Sequence, residues 1–236
     1  MIESGYMGCA RKYDVVFLDA DGTLFDFEWA QADAVRGLFA DRGIARLDGL
    51  DEAYAEINAS LWKDYEKGLV THEFLAVERF RRLFSRFGIG VDPTEVGQAY
   101  PSYLANSSVL FPGAEEMCAW LSERYTLAII TNGMTAVQRG RIAGSPIARY
   151  IAELVISEEV GCKKPDAAIF EIAAERVHCG DKSRMLIVGD SLSSDILGGK
   201  NFGIDTCWLN ASGAPKPADI LPTFEIVNLP ALRAFL

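Results

Sequence analysis

The chain predicts an α/β fold: a Rossmann-like parallel sheet with helices on both faces and an inserted four-helix-bundle cap. Three observations predict it. Short apolar runs rich in β-branched residues appear once near the start and again through the second half. Stretches at helical spacing separate the later runs, and apolar strands alternating with helices imply a parallel sheet covered on both faces. Between the first run and the rest, residues 26–107 show helical periodicity alone.

The first strand is Tyr13-Asp14-Val15-Val16-Phe17-Leu18. Four helices follow it. Trp29, Ala32, Val35, Leu38 and Phe39 form one apolar stripe, and Tyr54, Ile57, Leu61, Trp62 and Tyr65 a second, with Asp51 near its start. Phe74, Val77, Phe80, Leu83, Phe84 and Phe87 form a third, with Thr71 as N-cap. Asp92-Pro93 reads as a cap and first helical residue for a fourth. Amphipathic helices of this kind bury their stripes against one another as a small bundle. Phe111-Pro112-Gly113 then returns the chain to the sheet as a hinge strand. Later strands are Leu127-Ala128-Ile129-Ile130, Glu153-Leu154-Val155-Ile156, Met185-Leu186-Ile187-Val188 and Thr206-Cys207-Trp208-Leu209. Helices are expected over Ala114 to Arg124, Thr135 to Ala143, Ala167 to Val177 and Asp195 to Asn201. The expected division is a core of residues 1–25 and 108–236 and a cap of residues 26–107.

The bulk properties exclude several classes. A net charge of −10 argues against a nucleic-acid polymer held by general electrostatics. It leaves room for one small phosphate in a local positive pocket. No apolar stretch of about 18 residues marks a membrane span. The five cysteines, Cys9, Cys118, Cys162, Cys179 and Cys207, are scattered and odd in number, as expected of single thiols in a reducing compartment. Met1 to Ala10 lacks a signal-peptide apolar core and reads as a short disordered lead, with Met7 as an alternative start. A cytoplasmic protein is expected. Monomer and dimer stay equally open.

Polar residues gather at the carboxyl ends of the strands, where open α/β sheets bind ligands. Asp19-Ala20-Asp21-Gly22-Thr23 follows the first. Side chains at i and i+2 of an extended segment point the same way, so Asp19 and Asp21 are expected to converge. Two anions there need a cation, a shared proton or a lysine. Thr131-Asn132-Gly133 and Gly189-Asp190-Ser191-Leu192-Ser193-Ser194-Asp195 follow two later strands, and Lys163-Lys164-Pro165-Asp166 lies between them. Singly, each reads equally well as a capped turn or an exposed loop. Their joint occurrence in this order does not.

Together the four segments resemble motifs I to IV of the haloacid dehalogenase-like hydrolases, over Asp14 to about Asn210. The helical insert resembles that family's cap. The resemblance implies Asp19 as a nucleophile that forms an aspartyl-phosphate and Asp21 as general acid/base. It implies Mg²⁺ on Asp19, Asp190 and the backbone carbonyl of Asp21, with Asp195 direct or one layer out. Thr131, Asn132 and the backbone N–H groups that follow would hold phosphate oxygens, and Lys164 would offset charge on Asp19 and the phosphoryl group. Asp21 followed by Gly22-Thr23 is the phosphatase and phosphomutase pattern, since dehalogenase members typically lack the second aspartate. A receiver domain also sets acids, Thr and Lys around Mg²⁺, but it is about half this length and has no cap.

Asp19 to Phe27, Lys164-Pro165-Asp166 with Ile169-Phe170, and Gly203 to Asn210 resemble the pyrimidine 5′-nucleotidase branch. Gly22 departs from that branch, which often has Asp there. The implied function is a Mg²⁺-dependent phosphomonoesterase for pyrimidine (deoxy)nucleoside monophosphates, a small-molecule phosphate ester. A sugar-phosphate or phosphoglycolate phosphatase or a phosphomutase is the same-chemistry alternative. A catalytically silent phosphate-binding regulator is the different-class one. Phe27, Trp29, Trp62 or Tyr65 are candidates to stack on a base, with Asn or Gln side chains to read its edge. His72 and His178 are assigned no catalytic role.

Overall fold

The computed structural model describes residues 12–236, so the expected lead, Met7 and Cys9 lie outside the described residues. Strands β1 (Val15–Leu18), β2 (Thr126–Thr131), β3 (Glu153–Ile156), β4 (Met185–Gly189), β5 (Asp205–Leu209) and β6 (Phe224–Ile226) form a parallel sheet in the order β3-β2-β1-β4-β5-β6. β1 lies centrally, with Leu18 opposite Ile129 of β2 and Val188 of β4. Strand order reverses at β1, and such a switch point opens a crevice at the carboxyl edge.

The apolar runs are continuous because both faces of the sheet are buried. Val16, Leu18, Leu127, Ile129, Leu186 and Val188 face one side, packed with Met117, Cys118 and Leu121 of helix α5 (Ala114–Ser122). Val15, Phe17, Ala128, Ile130, Met185 and Ile187 face the other, against Ile169, Phe170 and Ala173 of helix α8 (Ala167–Arg176). Each Val, Leu, Ile, Phe or Met among them contributes about 1.5–3 kcal/mol relative to exposure. The remaining helices of this part are α6 (Thr135–Ala143), α7 (Ser157–Val160) and α9 (Leu197–Phe202).

The insert carries α1 (Phe27–Asp41), α2 (Leu50–Glu66), α3 (His72–Phe87) and α4 (Pro93–Ala105), which share one apolar cluster around Leu38, Tyr54, Phe80, Leu83 and Tyr100. Three have side-chain N-caps: Asp26 on Trp29 N, Thr71 on Phe74 N and Asp92 on Thr94 N. Its two connections run side by side. Asp26 N donates to Val109 O and Phe111 N to Leu24 O, so the returning segment pairs with the outgoing one. The far end of α2 is tied down, with Ser193 Oγ 2.8 Å from Glu66 Oε2 and Lys163 Nζ donating to Tyr65 O.

Several expectations need correction. β6 is an additional strand: three edge residues after the proline-rich stretch 214–222 give too short a pattern to detect. The helix expected from Asp195 begins earlier, as a π-helical turn over Leu192–Ile196 that continues into α9. Trp29 is 46% exposed and Phe74 48% exposed, outside the stripes assigned to them. On α3 the buried face keeps Phe80, Leu83 and Phe84 of the expected stripe and adds Leu75, Glu78 and Arg79, two of them charged.

Candidate active site

The carboxyl ends of β1, β2 and β4 deliver Asp19, Thr131 and Asp190 to one cleft of ≈370 Å³ beneath the insert. Its floor includes Asp19, Asp21, Thr131, Asn132, Lys164 and Asp190, and Phe27, Gln31, Asn58 and Trp62 line its cap side. That size suits a small ligand.

Lys164 is buried to 2% exposure, and three acceptors take up its ammonium group. Nζ lies 2.5 Å from Asp19 Oδ1, 2.7 Å from Asp195 Oδ1 and 2.7 Å from Ile130 O. Asn132 locks this lysine in place by reciprocal bonds to its backbone. Asn132 Nδ2 donates to Lys164 O and Oδ1 accepts from Lys164 N, at 2.9 and 2.8 Å. The Asn132 side chain is thereby committed, and its backbone N–H is what it offers a ligand. Thr131 Oγ1 accepts from Gly133 N at 3.2 Å, which leaves its hydroxyl hydrogen free to donate.

Asp19, Asp190 and Asp195 each place a carboxylate oxygen within 4.8 Å of the others. Burial first, then the Asp195 charge, raise the Asp19 carboxyl well above the usual range, against the pull of Lys164. Desolvation, with Asp195 next, pushes Asp190 up to about 7. Burial lowers Lys164, but Asp19 and Asp195 outweigh it and hold the ammonium up. Asp195 has both oxygens engaged, one by Lys164 and one by Ser191 N. Asp190 Oδ1 accepts from Thr23 Oγ1 at 3.2 Å. Trp208 Nε1 donates to the Asp190 carbonyl at 2.9 Å, so β5 steadies this loop. The donor set is all oxygen. Fully ionised, three carboxylates beside one ammonium leave two negative charges, which fits a hard divalent cation.

Asp21 does not join that cluster. β1 stops at Leu18, and Leu24 N and Phe25 N both bond back to Ala20 O, so the alternation of an extended strand is lost. Asp21 opens onto the same cleft, but its carboxylate is held by α6. Gln138 Nε2 lies 2.5 Å from Oδ2, and Arg141 Nη1 donates to Oδ1. Arg141 is fully buried; its Nε donates to Ser107 O at 2.8 Å and its guanidinium lies 4.5 Å from the Phe25 ring centroid. One side chain thus grips the Asp21 carboxylate, the turn after β1 and the segment returning from the insert. Gly22 has φ +85°, and a Cβ there would sit 2.5 Å from Asp190 Oδ2, so glycine lets these two loops meet.

Of the proposed stacking residues, Phe27 and Trp62 line the cleft and Trp29 does not. Tyr65 lines an adjoining hollow with His72 and Lys163. Sequence patterning missed Gln31, Asn58, Gln138 and Arg141. Two spacings could have flagged the first pair: Gln31 follows Phe27, and Asn58 precedes Trp62, by one helical turn. Cys118 and Cys207 are buried free thiols, each pushed up to about 12 by burial, which disfavours the reactive thiolate. Among the described residues no helix is long and apolar enough to cross a membrane.

Comparison with known proteins agrees with this geometry. Pyrimidine 5′-nucleotidase PynA of Streptococcus pneumoniae is 37% identical over 217 residues, covering 92% of each chain. Pyrimidine 5′-nucleotidase YjjG of Escherichia coli is 36% identical over 225 residues, 95% of this chain and 98% of that one. The magnesium-bound crystal structure of the putative HAD-hydrolase YfnB of Bacillus subtilis, which reveals interdomain movement in that protein, superposes with a TM-score of 0.90. It is 33% identical and covers 95% of this chain and 98% of that one. The family model for haloacid dehalogenase-like hydrolase matches residues 13–203, and the chain belongs to that family.

Proposed function

We propose that this phosphoric monoester hydrolase is a Mg²⁺-dependent 5′-nucleotidase for pyrimidine (deoxy)nucleoside monophosphates, acting through an aspartyl-phosphate. The observation that carries the reading is the cleft itself. Its floor holds carboxylates only partly offset by a buried lysine, and its opposite wall carries aromatic and amide side chains from α1 and α2. The floor suits a phosphate and the wall suits a planar polar ring. The nucleotidase relatives, similar over more than nine-tenths of this chain, support the same substrate class.

Asp19 and Asp190 would hold Mg²⁺ with the Asp21 carbonyl, and Asp195 orients the site through Lys164 and Ser191 N. Bound there, the ion neutralises phosphate charge and so lets a dianion approach carboxylates. Asp19 attacks phosphorus as the ester P–O bond breaks, and Asp21 protonates the leaving oxygen. Asp21 then takes a proton from the water that cleaves the acyl phosphate, releasing inorganic phosphate and freeing Asp19. Lys164 holds Asp19 in place and offsets charge as it transfers. The Thr131 hydroxyl and the Asn132 N–H hold phosphate oxygens. Residues 26–107 act as the cap that chooses the ester. Unpaired thiols and a nucleotide substrate support a cytoplasmic location.

The test is turnover of a phosphomonoester panel by purified protein, with Asp19→Asn and chelator controls. Pyrimidine monophosphates should lead the panel, and both controls should abolish release of phosphate. Better turnover of phosphosugars or phosphoglycolate would overturn the substrate, and activity surviving Asp19→Asn would overturn the mechanism.

A further inference from the structure

Arg79 on α3 is 1% exposed, and among the described residues no carboxylate pairs with it. A buried cation without a counter-charge is costly, so its environment must answer it with dipoles. One chain of these dipoles leads to the cleft. Arg79 Nη1 donates to Asn58 Oδ1 at 3.1 Å, and Asn58 Nδ2 donates to Gln31 Oε1 at 3.0 Å. The guanidinium also donates to Leu75 O and lies 5.1 Å from the Tyr100 ring centroid. Asn58 and Gln31 are 2% and 6% exposed, and both line the cleft.

The polarity of this chain is fixed at its origin. Arginine only donates, so Asn58 must turn its oxygen to Arg79 and its nitrogen to Gln31. Gln31 must then turn its oxygen to Asn58. What remains for the cleft is Gln31 Nε2, which has no partner among the described residues, and the second hydrogen of Asn58 Nδ2. Both are donors, and the buried charge polarises both.

We infer that Arg79, Asn58 and Gln31 form a relay that presents donors to the leaving group and selects a ring carbonyl oxygen, as on uracil or thymine. The inference rests on the nucleotidase reading and adds the residues that set base preference. Gln31 touches the base; Asn58 and Arg79 are positioning residues. Phe27 and Trp62, one helical turn from Gln31 and Asn58, flank the ring.

The test inverts the relay. In Asn58→Asp the new carboxylate accepts from Arg79 and also from Gln31 Nε2, which turns Gln31 Oε1 toward the cleft. kcat/KM is measured for dUMP, dCMP and the baseless reference 2-deoxyribose 5-phosphate, in wild type, Asn58→Asp and Gln31→Met. The dUMP-to-reference ratio should fall about tenfold or more in both variants. A fall for dUMP with dCMP unchanged or raised in Asn58→Asp places the selected oxygen at ring position 4. A parallel fall for both bases places it at position 2, and either result supports the relay. An unchanged ratio in Gln31→Met overturns it, even if Asn58→Asp fails to fold. Wild type that prefers neither nucleotide over the reference overturns the nucleotidase reading itself, a result read before any variant is made.

Discussion

Replacing Lys164 by methionine removes the cation that Asp19 and Asp195 share, with little change in volume. The two carboxylates keep oxygens within 4.8 Å of each other, and both residues are buried. At an effective dielectric of about 20, two charges at that separation repel by roughly 3.5 kcal/mol. Breaking a buried pair by removing one partner costs about 3–5 kcal/mol. A carboxylate can escape by taking up a proton, which sets a ceiling. At pH 7 that costs about 1.36 kcal/mol for each of roughly three units above the ordinary carboxylate value, or about 4 kcal/mol. The expected loss in metal-free buffer at pH 7 is therefore about 3–4 kcal/mol. Its pH dependence follows from the further rise of the Asp19 carboxyl once Lys164, which pulls it down, is gone. A group whose folded pKa lies above its unfolded value favours folding at low pH and opposes it as pH rises. The deficit should shrink by about 1.4 kcal/mol per unit between pH 7 and 5. The assay is urea unfolding followed by tryptophan fluorescence at pH 5, 6 and 7 in EDTA. Adding Asp195→Asn to the variant should restore most of the loss. A deficit below about 1 kcal/mol at pH 7, or one that does not change with pH, would refute the charge accounting.

Three further outcomes are expected. Arg141→Met releases one Asp21 oxygen and the grip on Ser107, so kcat should fall by about 10²-fold with a smaller change in KM; a kcat within twofold of wild type would show that Asp21 needs no such anchor. Mg²⁺ at about 100 times its Kd should raise the melting temperature by roughly 5–10 °C, measured by differential scanning calorimetry, and Asp190→Asn should remove most of that rise. Glu78, on α3, accepts from Arg81 at 2.6 Å and from Arg82 at 2.8 Å, and Arg81 foremost holds its carboxyl below the ordinary 4.5. Glu78→Gln should cost about 1 kcal/mol above pH 5, and that difference should vanish as pH falls through the lowered value.

The sheet and its site loops were legible because β1, β2 and β4 are buried on both faces and read as unbroken apolar runs. Asp19, Thr131 and Asp190 stand where those runs end, so their gathering at one edge followed from topology alone. Asp21 shares the cleft with Asp19, as their spacing predicts, but its carboxylate stays outside the three-acid cluster because β1 ends at Leu18. The bonds from Leu24 and Phe25 to Ala20 O turn the chain first. The metal-type cluster takes its third carboxylate from Asp195, which the motif resemblance implies as direct or one layer out. A π-helical turn over Leu192–Ile196, in place of a regular helix, carries that residue to Lys164.

What patterning missed has one physical cause. Periodicity treats charged and amide side chains as solvated, so Arg79, Gln138 and Arg141 fell on the polar sides of their helices. Yet Arg79, Arg141 and Lys164 are each 2% exposed or less, in a chain whose net charge is −10. Each buried cation leads to the cleft. Lys164 meets Asp19, Arg141 meets Asp21, and Arg79 reaches the wall through two amides. Burying three cations opposes folding unless each is answered. Two are answered by Asp19 and Asp21, the acids to which the proposed hydrolysis assigns its chemistry. The third is answered by the Leu75 carbonyl, the Tyr100 ring and an amide chain that ends at the cleft. Under the inferred relay, that asymmetry would make Arg79 the residue by which the insert, and not the sheet, imposes a preference on what is hydrolysed.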